Sequence, residues 1–307
     1  MFFQHLSDAV AVTGPVLLIL VLGVVLRRRG VIGEAFITTG DKLVFNVTLP
    51  LMLFFSLATR DPADILRPDL ALFAVCAVLG SVALLVWLSP AFVAEEKRAV
   101  FIQGAFRGNL GIVGLALLVS AYGDEGIAQA ASFLAVVVLL FNMLSVWILG
   151  KRGDARWLKM LRNPLILGIL AGASVALLRI PVPQLLLDSG RYLAQMTLPL
   201  ALLCIGGTLS WRSFRGNQRD VMRASAIKLV VQPLLITTAA WAVGYRDEVL
   251  VIVFLLMATP TAAASYVMAR QMTDQGPMAA EIVAVTTALS PFTITFGLVV
   301  LAALGLY

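Results

Sequence analysis

Long apolar runs separated by short polar connections constrain this chain more than any other feature. Each of ten runs contains about 20 mainly apolar residues, the length that a helix needs to cross the hydrocarbon core of a membrane. The runs are 8–27, 37–59, 69–91, 98–121, 126–149, 163–180, 188–210, 221–243, 247–270 and 278–304. With 60% hydrophobic and 13% charged residues, the chain has too little polar material to cover a soluble surface. The sequence therefore predicts an all-α polytopic membrane protein.

Lys and Arg residues are concentrated in alternate connections between these runs. Most lie in the odd-numbered loops, including the stretches 27–29 and 151–162. Because basic loops stay on the cytoplasmic side, we expect a multi-pass protein of the plasma membrane, or of the inner membrane in a bacterium. Ten spans then place both termini on the outer side. No basic soluble surface accompanies these loops, so nucleic acid is not expected as a partner.

The two halves of the chain repeat one pattern. The phrases TLPLMLFFSLAT at 48–59 and TLPLALLCIGGT at 197–208 are 149 positions apart, and the same offset relates Gly23 to Gly172. Each half, 1–150 and 151–307, contains five runs, so the second half must enter the membrane with the opposite orientation. The sequence predicts two inverted repeats, whose substrate site lies near mid-membrane at discontinuous helices. Chance similarity among leucine-rich helices is the alternative, but it predicts no constant offset.

The middle of the fourth run is unsuited to a continuous membrane helix. It contains three glycines and two polar residues, namely Gly108, Gly111, Gly114, Arg107 and Asn109. Each glycine weakens a helix by about 1 kcal/mol relative to Ala, and the two polar side chains are costly in hydrocarbon unless they face protein or water. We expect a helix that is broken beside a cavity. Alternatively, Gly104 and Gly108, spaced as GxxxG, only allow close helix packing.

The ninth run carries a helix breaker at the matching depth of the second repeat. Pro260 falls opposite Gly111 and removes a backbone hydrogen bond, and hydroxyl side chains follow it. If the two broken helices cross, their half-helix amino termini present partial positive charge that suits an anion. The predicted substrate-binding residues of the two runs are Arg107, Gly108, Asn109, Gly111, Pro260, Thr261 and Ser265. Alternatively, Pro260 only kinks a packed helix.

Lys228 and Gln232 lie one turn apart on one face of the eighth run. A lysine this deep in a membrane is expected to face protein or water, so we add both residues to the predicted anion site. The alternative is that Lys228 extends to the cytoplasmic headgroups. Pro50 and Pro199, at equivalent positions of the repeats, are predicted with Gly114 to form kinks or hinges.

No catalytic or cofactor signature is present in the sequence. There is no GxxxxGK[ST] motif and no metal-ligand cluster, and His5 is the single histidine, so a nucleophile has no histidine partner. We therefore predict a protein that is not an enzyme and uses no cofactor or metal. The few carboxylates within the runs also argue against a dense acidic proton relay or a multi-carboxylate sodium site.

Five segments in order resemble the auxin efflux carrier family of membrane transport proteins in its compact form. They are TLPLMLFFSLA, NLGIVGLALLVSAYG, RNPLILGILAG, LPLALLCIGGTLS and ATPTAAASYVMARQM. The resemblance implies ten helices, with a scaffold of spans 1, 2, 6 and 7 and a transport domain of spans 3–5 and 8–10. It also implies that helices 4 and 9 cross around an organic anion, and it suggests a homodimer formed through the scaffold.

Individual residues both match and depart from that family. Asn109, Gly114 and Pro260 match its asparagine and glycine of the fourth span and its proline of the ninth. Two residues stand where plant members carry prolines, namely Gly108 and Ala116. Two others stand where many bacterial members carry an asparagine, namely Ala264 and Ser265. Auxin itself is therefore not implied as the substrate.

These features together predict a secondary carrier of a small organic anion in the lipid bilayer. Elevator or rocking motion about helices 4 and 9 would provide alternating access, with uniport or proton coupling as the expected energetics. A sodium-coupled symporter like the bile acid family, which shares this architecture, is the alternative within the same class. A membrane sensor that binds the anion without transporting it is the alternative of another class.

Overall fold

The computed structural model describes residues 2–59, 67–150, 164–208 and 218–306, so the basic stretch 151–162 lies outside the described residues. Within these ranges the chain is helical. In order, the α-helices are α1 (Phe2–Arg28), α2 (Glu34–Leu43), α3 (Leu49–Ala58), α4 (Pro68–Leu88), α5 (Glu95–Phe106), α6 (Leu115–Leu149), α7 (Pro164–Leu177), α8 (Gln184–Gln195), α9 (Thr197–Thr208), α10 (Gln218–Ala226), α11 (Gln232–Val243), α12 (Asp247–Met257), α13 (Ala263–Met272) and α14 (Gly276–Ala303).

Four segments of the described chain are long and apolar enough to cross a membrane. They are Pro68–Ala91, Glu125–Leu149, Gln218–Val243 and Gly276–Ala303. The first predicted span lies in the 27-residue helix α1, and the remaining ones contain helices that are shorter or interrupted. The architecture is that of a helical membrane protein, as the composition indicated. The count of ten spans and the inverted orientation of the halves stay predictions.

In the described part of the chain the helices are interrupted by three π-helical turns, Val44–Thr48, Leu110–Gly114 and Ile227–Val231. Sequence patterning did not anticipate them. Two are followed by a proline in the first turn of the next helix, namely Pro50 in α3 and Pro233 in α11. Proline cannot donate a hydrogen bond to the carbonyl one turn earlier. The backbone hydrogen bonds of the helix must therefore change partners there, and a wider π turn is one way to do so.

Glycines bring α1, α3, α7 and α9 into close contact. A Cβ added at Gly23 in α1 would lie 2.4 Å from the Leu203 carbonyl oxygen, and one at Gly172 in α7 would lie 2.6 Å from that of Phe54. Gly23 and Gly172 are 149 positions apart, and so are Phe54 and Leu203. The glycine in α1 of the first half thus meets α9 of the second half, and the equivalent glycine in α7 of the second half meets α3 of the first. A two-fold relation between the repeats requires such a reciprocal pair of contacts. They support the predicted inverted repeat.

The other helices, α4–α6 and α10–α14, contain many of the fully buried large side chains, among them Phe101, Phe106 and Phe133. Within α6 the chain bends at Gly123, whose φ of 61° and ψ of −151° are not helical. Residues other than glycine rarely adopt a positive φ, so glycine suits this bend. The bend lies between the fourth and the fifth predicted span.

Candidate functional site at the helix crossing

The two broken helices cross and pair through their backbones. Helix α5 ends at Phe106, and the chain is extended before it resumes in the turn Leu110–Gly114; helix α12 ends at Met257 and the chain resumes in α13. Gly108 and Thr261 form an isolated antiparallel bridge. The amide of Asn109 donates to the Pro260 carbonyl across 2.7 Å, and that of Ala262 donates to the Arg107 carbonyl across 3.0 Å. The sequence had predicted breaks at these positions.

Close packing explains the glycine at the centre of the crossing. A Cβ at Gly108 would lie 2.5 Å from Thr259 Oγ1 and 3.4 Å from Lys228 Nζ. At Gly104, one turn earlier, it would lie 2.8 Å from the Ile282 side chain of α14. The alternative that these glycines only allow close helix packing therefore holds for Gly104, where α5 is continuous. Gly108 belongs to the break itself.

Two buried polar side chains at the crossing lack a hydrogen-bond partner among the described residues. Asn109 is 8% exposed and Ser265 is 1% exposed. The side-chain amide of Asn109 forms no hydrogen bond within the described part of the chain, and the Ser265 hydroxyl is buried and unpaired there. Asn109 precedes the turn Leu110–Gly114, and Ser265 lies in the first turn of α13. Both are therefore beside amino ends of half-helices, where partial positive charge gathers.

Thr261 is instead fully engaged with its neighbours. Its hydroxyl donates to the Gly104 carbonyl across 2.7 Å, and its amide donates to Thr286 Oγ1 across 3.1 Å. Thr286 in turn donates to the Ile282 carbonyl across 2.7 Å. The bonds tie the crossing to α14. Thr261 therefore stabilises the non-helical backbone at the break. Thr286 also belongs to the site, and sequence reasoning missed it.

Lys228 and Gln232 connect the carboxyl ends of the first half-helices. Lys228 Nζ donates to the Met257 carbonyl across 2.6 Å and to Gln232 Oε1 across 2.9 Å, and Gln232 Nε2 donates to the Phe106 carbonyl across 3.1 Å. Helix carboxyl ends carry partial negative charge, which an ammonium group offsets. Lys228 is 0% exposed, so it faces protein as expected, and the alternative that it extends to the headgroups is wrong. A direct contact with substrate stays a prediction.

Arg107 lies buried between α6 and α13. Its Nη2 donates to Asn142 Oδ1 across 2.8 Å and its Nη1 contacts the Met268 sulfur, while Asn142 Nδ2 donates to the Val138 carbonyl across 2.8 Å. No carboxylate pairs with Arg107 among the described residues. Its positive charge is therefore not neutralised there. Asn142 was missed, although a lone asparagine in an apolar run was a signal in the sequence.

A cavity of about 790 Å³ lies between α1, α3, α8 and α9 on one side and α6 on the other. The volume is in the range of small-molecule sites. Its lining is largely apolar, with four polar side chains: Thr59, Ser120, Arg191 and Gln195. Of the predicted site and hinge residues, only Pro199 lines this cavity. Sequence reasoning missed all four of these polar residues.

The model of a family described as membrane transport protein matches residues 10–156 and 148–298. The chain belongs to this family. A "putative malonate transporter" of Rhizobium meliloti is 29% identical over 284 residues, which cover 86% of each protein. An uncharacterized transporter of Methanothermobacter thermautotrophicus is 26% identical over 262 residues, covering 83% of this chain and 85% of that protein. These matches indicate a membrane transporter rather than an enzyme.

Proposed function

We propose that this protein is a secondary transporter of a small carboxylate, which binds at the helix crossing and is moved by alternating access. The observation that carries the proposal lies beside the half-helix amino ends: among the described residues the Ser265 hydroxyl is buried without a partner and the Asn109 side-chain amide forms no hydrogen bond. A buried polar group without a partner costs about 1–3 kcal/mol. A bound carboxylate would remove that cost for Ser265 and would give the Asn109 side-chain amide an acceptor, since its oxygens accept from a hydroxyl and an amide.

The anionic character of the proposed substrate follows from the charges around the crossing. Arg107 and Lys228 are both buried close to it, and no carboxylate pairs with either among the described residues. Half-helix amino ends add partial positive charge at Asn109 and Ser265. Such a site repels cations and attracts anions. The Rhizobium meliloti relative is named for malonate, which makes malonate the first substrate to test.

Polar bonds among the predicted transport spans support movement of these spans as one body. The bonds at the crossing all join spans 4, 5, 8, 9 and 10, through Arg107–Asn142, Lys228–Met257 and Thr261–Thr286. Nearer the ends, Lys97 pairs with Asp220 and Gln129 donates to Glu248. The cavity separates part of this body from α8 and α9. We propose that the body slides or rocks against α1–α3 and α7–α9.

The contacts of Lys228 favour uniport or proton coupling over sodium coupling. Sodium bound behind the crossing would need oxygen ligands such as the helix-end carbonyls of Phe106 and Met257. In this structure those oxygens accept from Gln232 and from Lys228, respectively. An ammonium group already provides the positive charge that a sodium ion would bring there. We therefore retain sodium coupling as the second candidate only.

Uptake and counterflow in proteoliposomes test the proposal. Purified protein should accumulate labelled malonate when the vesicles are preloaded with unlabelled malonate, and uptake should not require sodium. Net uptake that is accelerated by a pH gradient would indicate proton coupling, and net uptake that does not depend on the gradient would indicate uniport. A strict sodium requirement would establish the symporter instead. Saturable malonate binding without counterflow would show a sensor, and neither binding nor uptake across small mono- and dicarboxylates would refute the proposal.

A further inference from the structure

The cavity wall formed by α8 and α9 carries one cationic side chain. The wall residues follow helical spacing, namely Arg191, Ala194, Gln195, Leu198, Pro199 and Leu202. Steps of three and four residues place side chains on one helix face. Arg191 and Gln195 are therefore on the same face as the apolar residues that line the cavity, and Arg191 marks the end of this face that is farthest from Leu202.

Arg191 has no anionic partner among the described residues. Asp188, one turn earlier on α8, accepts instead from Gln184 Nε2 across 2.9 Å. The described residues that line the cavity include no Asp or Glu. An arginine keeps its charge at any physiological pH, and apolar walls focus the field of a charge in a cleft. The cavity therefore attracts anions towards its Arg191 end.

We propose that Arg191 and Gln195 form an anion-binding position on this wall, distinct from the helix crossing, which captures a carboxylate on its way through the cavity. The guanidinium group can hold a carboxylate through two parallel N–H donors. Gln195, one turn later on the same face, supplies a further amide donor. The role of this position in transport rests on the proposed function, whereas anion binding at Arg191 does not.

The length of the wall separates this position from the crossing. Arg191 and Leu202 are eleven positions apart in two consecutive helices, α8 and α9, and at a helical rise of 1.5 Å per residue this is about 16 Å of chain. Helix α9 packs against the turn Leu110–Gly114 that follows Asn109. A carboxylate of malonate size cannot span such a distance. Arg191 therefore acts before the substrate reaches Asn109, and its loss should affect capture more than turnover.

Quenching of a fluorescent label tests anion binding without any assumption about the substrate. In a Cys76→Ala background, Thr59→Cys in the cavity lining is labelled with bimane and titrated with iodide, an anion, and with acrylamide, a neutral quencher. Arg191→Gln should lower quenching by iodide severalfold and leave quenching by acrylamide unchanged, whereas Arg191→Lys should keep most of the iodide effect. Arg179→Gln is the matched control, because Arg179 is exposed after α7 and does not line the cavity.

Malonate uptake tests the role in capture. Arg191→Gln should raise KM about tenfold, the effect of losing one charge-assisted contact, with kcat changed less than twofold, and Arg179→Gln should match wild type. Equal iodide quenching in wild type and Arg191→Gln would overturn the anion position. Reduced quenching with an unchanged KM would overturn its part in capture. If wild type transports no carboxylate but the iodide contrast persists, the proposed function fails and the anion position stands.

Discussion

The amide of Asn109 donates a hydrogen bond to the carbonyl of Pro260 across 2.7 Å, so the breaks in the two crossing helices are held against each other. This bond uses the Asn109 backbone and leaves its side-chain amide without a partner among the described residues. Pro260 contributes only its carbonyl, since proline has no amide hydrogen. The pairing thus fixes the backbone of the site while the Asn109 side chain remains available to a ligand.

Asn109→Ala should weaken binding of the substrate by about 1.5–3 kcal/mol, which is the loss of a hydrogen bond to a charged group. Affinity measured by thermal shift or calorimetry would then fall roughly tenfold to a hundredfold. Asn46→Ala is the control, because Asn46 is an exposed asparagine that bonds within its own helix. Unchanged affinity in Asn109→Ala would move the carboxylate site away from the crossing.

Pro260→Ala should impair transport while the protein still folds and inserts. The alanine keeps the carbonyl that Asn109 bonds but restores an amide donor, which favours a continuous helix and closes the gap. Because both changes act on one ligand, the double mutant with Asn109→Ala should lose less binding energy than the two single mutants together. Strict additivity, together with normal transport by Pro260→Ala, would reduce the proline to a packing kink.

Lys228→Met should lower the free energy of unfolding by about 1–3 kcal/mol, because the buried Met257 carbonyl and Gln232 Oε1 lose their donor. The apparent melting temperature in detergent measures this change. Lys42→Met is the control, since Lys42 is exposed on α2. A variant with wild-type stability and a large loss of anion affinity would instead make Lys228 a direct ligand. Unchanged stability and unchanged transport would leave the hydrogen bonds of Lys228 without consequence.

Gly108→Ala should disrupt the crossing, because its Cβ would meet Thr259 Oγ1 at 2.5 Å. Overpacking of this kind costs about 1–3 kcal/mol, and we expect both thermal stability and malonate uptake to fall. Gly80→Ala offers a matched comparison, since a Cβ at Gly80 meets nothing within 4 Å and alanine favours a helix by about 1 kcal/mol. If the two variants have the same thermal stability and the same malonate uptake, the site tolerates a Cβ at Gly108 and close packing does not explain the glycine.

The helices and the crossing could be predicted because local chemistry determines them. Apolar runs long enough to span a membrane predict helices, and glycines or a proline in mid-run predict breaks wherever they occur. Gly111 and Pro260 were found in this way, and a constant offset of 149 placed them at matching depths. That the two breaks meet followed from one further inference, namely that two broken helices at the same depth cross. The hydrogen bond from the Asn109 amide to the Pro260 carbonyl is seen only in the structure.

The partners of the buried charges could not be predicted from the sequence. Lys228 bonds to Met257, 29 positions away, and Arg107 bonds to Asn142, 35 positions away; no periodicity in the chain relates such pairs. The sequence also allowed Lys228 to reach the membrane surface, and only its burial decided against this. The cavity around Arg191 depends on the space left between α6 and α9, which is a property of packing alone.

Labelling of single cysteines tests the predicted orientation in the membrane. Val31, between α1 and α2, and Ile180, between α7 and α8, are exposed, and five predicted spans separate them. An odd number of crossings places the two positions on opposite sides. In a Cys76→Ala background, a membrane-impermeant maleimide applied to intact cells should therefore label Ile180→Cys and not Val31→Cys, which should react only after the membrane is opened. The reversed pattern would invert the protein, with both termini in the cytoplasm. Labelling of both positions in intact cells would contradict an odd number of spans between them, and with it the inverted repeat.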